Sequence, residues 1–269
     1  MSIDTTIAAA ALAIRNCRGV VIAAGAGMGV DSGLPDFRGP EGFWRAYPPY
    51  KDQGLEFTDL ANPRWFQTDP ELAWGFYGHR LDLYRTTMPH EGFARLLELA
   101  GGKALAVFTS NVDGQFQRAG FSEEQVVEVH GSIHHLQCAR LCHAQIWPAR
   151  EIHVAVNEET MRAEAPLPSC PQCGDVARPN ILMFGDPGFL GTRTNDQIDH
   201  YQSTLASVSW HEWVVVEVGA GTQVPTVRMH SERLQGLGAT LIRINPRESF
   251  GPPGTLALPL TARDGLRSL

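Results

Sequence analysis

The stretch Gly25-Ala-Gly-Met-Gly-Val-Asp-Ser-Gly-Leu-Pro-Asp-Phe-Arg-Gly39 joins two kinds of chemistry in one loop. Gly25, Ala26 and Gly27 follow an apolar run, and such a turn lets a backbone approach a pyrophosphate whose charge is received by amide groups and a helix N-terminus. The G-x-G-x-x-G fingerprint is incomplete because position 30 is Val, so the glycines alone also fit a plain structural turn. Asp36-Phe37-Arg38 adds an acid, a ring and a guanidinium. That trio suits a mobile cover in which Arg38 meets phosphate and Phe37 keeps water from a reacting carbon; a surface ion pair with the ring tucked inward is the other arrangement. A second constellation is Cys138-x3-Cys142 with Cys170-x2-Cys173, which can set four thiolates tetrahedrally around one Zn2+. His134, His135 and His143 lie near enough in sequence to replace a ligand, but four cysteines already close such a site. Two reduced, unligated pairs are the alternative, and Cys17 stands apart as a buried thiol.

The elements that must position these groups are short β-branched runs at 20–24, 104–108, 126–129, 181–184, 213–218 and 241–244. Most are continuous rather than alternating, as in strands covered on both faces. The expectation is an α/β fold: a doubly wound parallel (Rossmann-like) sheet with a smaller zinc-binding domain and a helical insertion. Gly25, Ser110, Asn111, His130, Gly185, Gly219, Gly221 and Asn245 stand just beyond the ends of the runs, where open parallel sheets bind ligands. The Rossmann-like domain is expected over residues 1–38, 89–133 and 180–269. The aromatic-rich helical insertion occupies 39–88, and the zinc-binding module 134–179. Residues 7–14 read as a first helix, and the turn at Gly251-Pro-Pro-Gly254 precedes a last short strand and a tail.

Taken in order, these motifs resemble the sirtuins, NAD-dependent protein lysine deacylases. The first loop is similar to their GAGxSxxSGIPDFRG, Thr109-Ser-Asn-Val-Asp113 to TQNID, and His130-Gly131 to the HG pair. Arg178-Pro-Asn-Ile-Leu-Met-Phe-Gly-Asp186 is similar to RPxVVxFGE, and Leu241-Ile-Arg-Ile-Asn245 to the strand whose Asn holds the adenosine ribose. The resemblance implies NAD as cofactor, with Asn111 and Asp113 positioning the ribose and nicotinamide amide while the acyl-lysine oxygen attacks the anomeric carbon. His130 is then the base, since an imidazole takes a proton near neutral pH. Free lysine, nicotinamide and O-acyl-ADP-ribose would result. Tyr77 and Arg80, one helical turn apart, resemble the Tyr-x-x-Arg signature of sirtuins that prefer acidic acyl chains. A core Tyr with Arg in solvent is the alternative. The acylated-lysine peptide is expected as an added strand beside Met183, Phe184 and Gly185. Departures are Gly29 for the loop serine, Ser110 for the glutamine, and Gly219-Ala-Gly-Thr222 for the GTS loop. Each swap removes a hydrogen bond worth about 0.5–1.5 kcal/mol if unreplaced. They leave mono-ADP-ribosyl transfer or NAD hydrolysis as a competing function; a non-catalytic NAD sensor or zinc-ribbon interaction module is a third, which intact Asn111, Asp113 and His130 argue against.

With 269 residues, 43% hydrophobic and 19% charged, the chain can bury a sizeable core, and its net charge of −7 gives no broad footprint for nucleic acid or anionic membrane. Without an export signal or a membrane span, the expected location is the cytoplasm.

Overall fold

The computed structural model describes residues 2–36 and 39–269; Phe37 and Arg38, expected to cover the site, lie outside the described residues. Strands β1 (Gly19–Ala24), β2 (Ala104–Thr109) and β3 (Val126–Glu128) come first. The chain then leaves for β4 (Gly131–Cys138), β5 (Ile146–Pro148), β6 (Val156–Asn157), β7 (Arg162–Ala163) and β8 (Ala177–Ile181). It returns as β9 (Trp213–Val218), β10 (Thr240–Ile244) and β11 (Leu256–Leu258). The main sheet runs β11-β10-β9-β1-β2-β3 with every neighbouring pair parallel. Counted along the chain this is the doubly wound order, with its reversal between β1 and β9, where a crevice must open.

Every residue of β1 and β9 is buried, which is why both read as nearly continuous apolar runs, the exception in β9 being Glu217, which is paired with Arg243 of β10. Alternate side chains serve opposite faces. Val20 and Ile22 pack among Ile14, Phe93 and Leu266, whereas Val21 and Ala23 pack among Tyr201, Leu205 and Leu234. The residues after β11 form a helix, Ala262–Ser268, rather than the expected tail: the Thr261 hydroxyl caps it, accepting from the Asp264 N–H at 3.2 Å.

The insertion is helical as expected, and its longest helix, Pro70–Thr86, forms one wall of the cleft. Asp69 caps it through the Leu72 N–H (3.2 Å), and Pro70 occupies the first position, where no amide is needed. Gly75 and Gly78 are poor helix formers, but a Cβ at Gly78 would lie 2.7 Å from Val154, so they allow a close approach to the cysteine-bearing region. The Trp74 indole donates to Ala177 O at 2.8 Å, and the insertion shares one apolar core with Ile133 and Leu136 of β4. One expected strand is corrected. Residues 181–184 do not join the parallel sheet; β8 ends at Ile181 and pairs antiparallel with β4 in a three-stranded sheet, β5-β4-β8. Local apolarity does not say which sheet a run joins, and the Leu182 and Phe184 amides go instead to His130 O and Ala61 O, both at 2.9 Å. No helix among the described residues is long and apolar enough to cross a membrane.

Candidate active site

Where the sheet order reverses, the loops after β1 and β9 interlock. The Gly25 N–H donates to Val218 O and the Gly27 N–H to Gly219 O, both at 3.0 Å. A Cβ on Gly27 would lie 2.7 Å from the Gly219 Cα, and Gly219 itself has φ +65°. Only glycine fits this crossing. The Met28 and Gly29 amides fold back onto Gly25 O and Ala26 O, and the helix that follows, Gly27–Val30, is a single turn. The expected phosphate cradle is therefore narrower than a helix N-terminus. Among the described residues the Ala26 N–H has no backbone acceptor, and Ala26 borders both cavities of the cleft.

The first cavity, about 420 Å³, is bounded by Gly25, Ala26, Gly219, Gly221, Thr222, Arg247 and Glu248. Across it Thr222 donates to Glu248 Oε1 at 2.6 Å, a pair that sequence reading missed because the two residues stand on separate loops. Asn245 is not on this wall. It is fully buried, its Nδ2 donating to Ala220 O (2.9 Å) and its Oδ1 accepting from the Arg247 and Glu248 amides (3.0 and 2.9 Å). It shapes the two loops that face the cavity.

The second cavity, about 340 Å³, shares Ala26, Asp36, Ser110 and Val224 with the first. Asn111, Asp113, His130, Tyr77, Arg80, Met183 and Phe184 line it; Gly27, Asn245 and Gly185 line neither cavity. The Asn111 Nδ2 donates to Gly25 O (3.1 Å), and its amide to the Thr109 hydroxyl (3.1 Å), which itself donates to Ala24 O. The residue is thus tied to both β1 and β2. His130 sits at the seam where the chain leaves the parallel sheet for β4, a turn completed by Gly131 at φ +76°. Burial pulls the His130 pKa below its ordinary value, offset in part by a hydrogen bond to the Ser110 backbone. Burial pushes Asp113 up to about 6, against the Gln115 amide (2.9 Å) and the Arg80 charge, which act to hold it down.

Tyr77 and Arg80 are both buried and both face the second cavity, which removes the alternative of Arg80 in solvent. Arg80 donates through Nε and Nη2 to the Tyr84 hydroxyl at 3.0 and 2.8 Å, and its guanidinium lies 5.0 Å from the Phe76 ring centroid. Tyr84 was not singled out in the sequence, although it stands four residues after Arg80 on the same helical face. Among the described residues the Tyr77 hydroxyl has no hydrogen-bond partner, and burial pushes its pKa up to about 12, leaving a neutral donor.

Outside the cleft, Cys138, Cys142, Cys170 and Cys173 gather with all four sulfurs within 4.8 Å of one another. The Cys138–Cys173 and Cys142–Cys170 separations are 3.7 Å. Zinc–sulfur bonds of about 2.3 Å at tetrahedral angles place sulfurs about 3.8 Å apart, so the cluster fits Zn2+. Of the nearby histidines, His134 Nε2 bonds to Asp113 O (2.9 Å) and His143 Nε2 contacts the Cys170 sulfur at 3.2 Å, beside the ligands rather than in place of one.

A model described as the Sir2 family matches residues 25–209. The NAD-dependent protein deacylase of Aeropyrum pernix is 30% identical over 234 residues, 87% of this chain and 83% of the relative. The NAD-dependent protein deacetylase of Saccharolobus solfataricus is 29% identical over 226 residues, 84% of this chain and 79% of the relative. Among solved structures, a Sir2 homologue in complex with NAD superposes with a TM-score of 0.70 at 26% identity, covering 95% of this chain and 89% of that one.

Proposed function

The chain belongs to the Sir2 family, and from that premise we propose how its cleft works as an NAD-dependent protein deacylase. The observation that carries the reading is the meeting of two cavities at Ala26, Asp36, Ser110 and Val224, one walled by glycines and the other by His130, Asn111 and Asp113. Bound NAD would supply an electrophilic ribose carbon, with nicotinamide as leaving group, to the acyl-lysine oxygen. Gly25, Ala26, Gly219 and Gly221 hold the diphosphate and adenosine half, and Asn245 supports them from beneath. Asn111, fixed to Gly25 O, and Asp113 orient the reacting half, with Ser110 at the junction. His130 accepts the ribose hydroxyl proton; its lowered pKa keeps it neutral and able to do so at physiological pH.

The acylated lysine of a protein substrate enters past Met183 and Phe184, with Gly185 at the rim. Tyr77 and Arg80 bind a carboxylate at the far end of the acyl group, which makes succinyl and malonyl chains substrates beside acetyl. Residues 1–38, 89–133 and 180–269 act as the NAD-binding domain, 39–88 as the acyl-pocket insertion and 134–179 as the zinc-binding module. Four cysteines gathered as metal ligands are in keeping with a reducing, cytoplasmic setting. Incubation with NAD and matched acetylated and succinylated peptides, read by mass spectrometry, tests the assignment. Nicotinamide with O-acyl-ADP-ribose is the expected outcome; ADP-ribosylated protein or free ADP-ribose without lysine deacylation would replace it with ADP-ribosyl transfer or NAD hydrolysis.

A further inference from the structure

Two residues of the glycine-rich turn that line neither cavity, Met28 and Ser32, are gripped by His90, a residue 62 and 58 positions away in the chain. The imidazole is buried. Its Nδ1 accepts from the Gly92 N–H at 3.0 Å, which leaves the proton on Nε2, and Nε2 donates to Met28 O at 3.0 Å. The His90 amide donates to the Ser32 hydroxyl at 3.0 Å, and Phe93 packs edge-on against the ring at 5.2 Å. Burial lowers the His90 pKa, in keeping with this neutral tautomer. The far end of the turn is anchored separately: the Arg263 amide of the C-terminal helix donates to Asp31 Oδ2 at 2.7 Å, and the Arg263 guanidinium to Asp31 O. Met28 is the pivot. Its amide closes the turn on Gly25 O while its carbonyl is held by His90, so a shift of Met28 moves Ala26, the residue shared by both cavities.

We propose that His90 is a positioning residue of the cofactor site, acting through Met28 and Ser32 to hold the turn where the Ala26 amide and the glycine backbones meet the dinucleotide. This rests on the reading that the glycine-walled cavity takes NAD. His90 touches no reacting atom, so its effect falls on cofactor binding and spares the acyl-peptide.

The test measures ADP-ribose affinity by calorimetry and KM for NAD and for acyl-peptide, with thermal melts to establish folding. His90→Phe keeps the ring packing against Phe93 and loses both ring hydrogen bonds; each is worth a few-fold to tenfold in binding, so a rise of about tenfold in ADP-ribose Kd and NAD KM is expected. Peptide KM and kcat at saturating NAD should stay within about twofold. His90→Gln, which restores a donor to Met28 O, should recover most of the affinity. Ser32→Ala, a milder change that keeps the imidazole, should weaken ADP-ribose binding about threefold. A folded His90→Phe protein with wild-type ADP-ribose affinity, a fall in kcat with NAD KM unmoved, or a loss that Gln does not repair would overturn the role. So would unchanged affinity in Ser32→Ala if the Phe variant does not fold. Failure of the underlying reading looks different: the unsubstituted protein would bind no ADP-ribose.

Discussion

At His130, burial favours the uncharged imidazole, while the hydrogen bond to the Ser110 backbone offsets part of that shift. A base of this kind is lost as pH falls, so the acid limb of kcat/KM is expected to have its midpoint below the ordinary histidine value, about 6.5. His130→Ala should remove deacylation and leave the melting profile intact. Asp113 titrates at about 6 in the same cavity, and its sign is opposite to that of a stabilising carboxylate. The folded state holds the Asp113 proton more tightly than the unfolded chain, so stability from this group falls as pH rises from the ordinary aspartate range through about 6. Asp113→Asn should raise unfolding free energy at pH 8 by on the order of 2 kcal/mol, raise it less at pH 5, and lower activity. Denaturant titrations at the two pH values check this, and persistence of the acid limb in the Asn variant assigns that limb to His130. Arg80→Met separates the acyl preferences: desuccinylation should drop at least tenfold relative to deacetylation, and an unchanged ratio would remove the guanidinium from acyl recognition. At this scale the sequence disclosed residue types and the i, i+3 pairing of Tyr77 with Arg80. It did not disclose that both are buried, nor that Tyr84 holds the guanidinium, because burial depends on what packs opposite the helix.

Among the elements, the crossing of the loops after β1 and β9 carries the tightest steric demand. A Cβ at Gly219 would run into the Gly27–Met28 peptide, and the residue also has a left-handed backbone. Gly219→Ala is expected to cost at least about 2 kcal/mol, because clash and backbone strain act together, and to weaken ADP-ribose binding in the same variant. A melt unchanged within a degree would contradict this. The strands of the parallel sheet were legible because residues covered on both faces are mostly apolar, the buried Glu217–Arg243 pair between β9 and β10 being the exception. Residues 181–184 have the same composition yet do not form such a strand, since pairing is decided by whichever acceptor lies within reach, here His130 O and Ala61 O. The helix N-terminus expected behind the glycines is a single turn, with the Met28 and Gly29 amides already committed to the turn itself.

Across the whole molecule, the cysteine cluster and the cleft are opposite ends of the same two strands. β4 and β8 pair from Gly131 with Ile181, beside the reacting cavity, to Cys138 with Ala177, at the cluster. Along the five residues of β8 that is a span of about 13 Å, too far for zinc to meet the reacting atoms but suited to holding the strands that lead to His130 and Met183. One zinc per chain is expected in protein purified without chelator. Stripping it should lower the melting temperature by several degrees, and Trp147, packed 5.7 Å from His143, provides a local fluorescence signal for the loss. Metal content far below one per chain would sink the assignment. The sequence by itself showed most strands of the parallel sheet, the position of the glycine turn and the four-cysteine set, because spacing and periodicity are properties of a covalent chain; Asn111, Asp113 and His130 stood out only through the resemblance of their motifs to a known family. Only the tertiary structure decided which amides stay open, that Asn245 works from beneath the cavity, and that His90 and Arg263 grip the turn from 58 and 232 residues away. Those contacts exist only after packing has brought distant segments within hydrogen-bond reach, and nothing local to either partner records the distance between them.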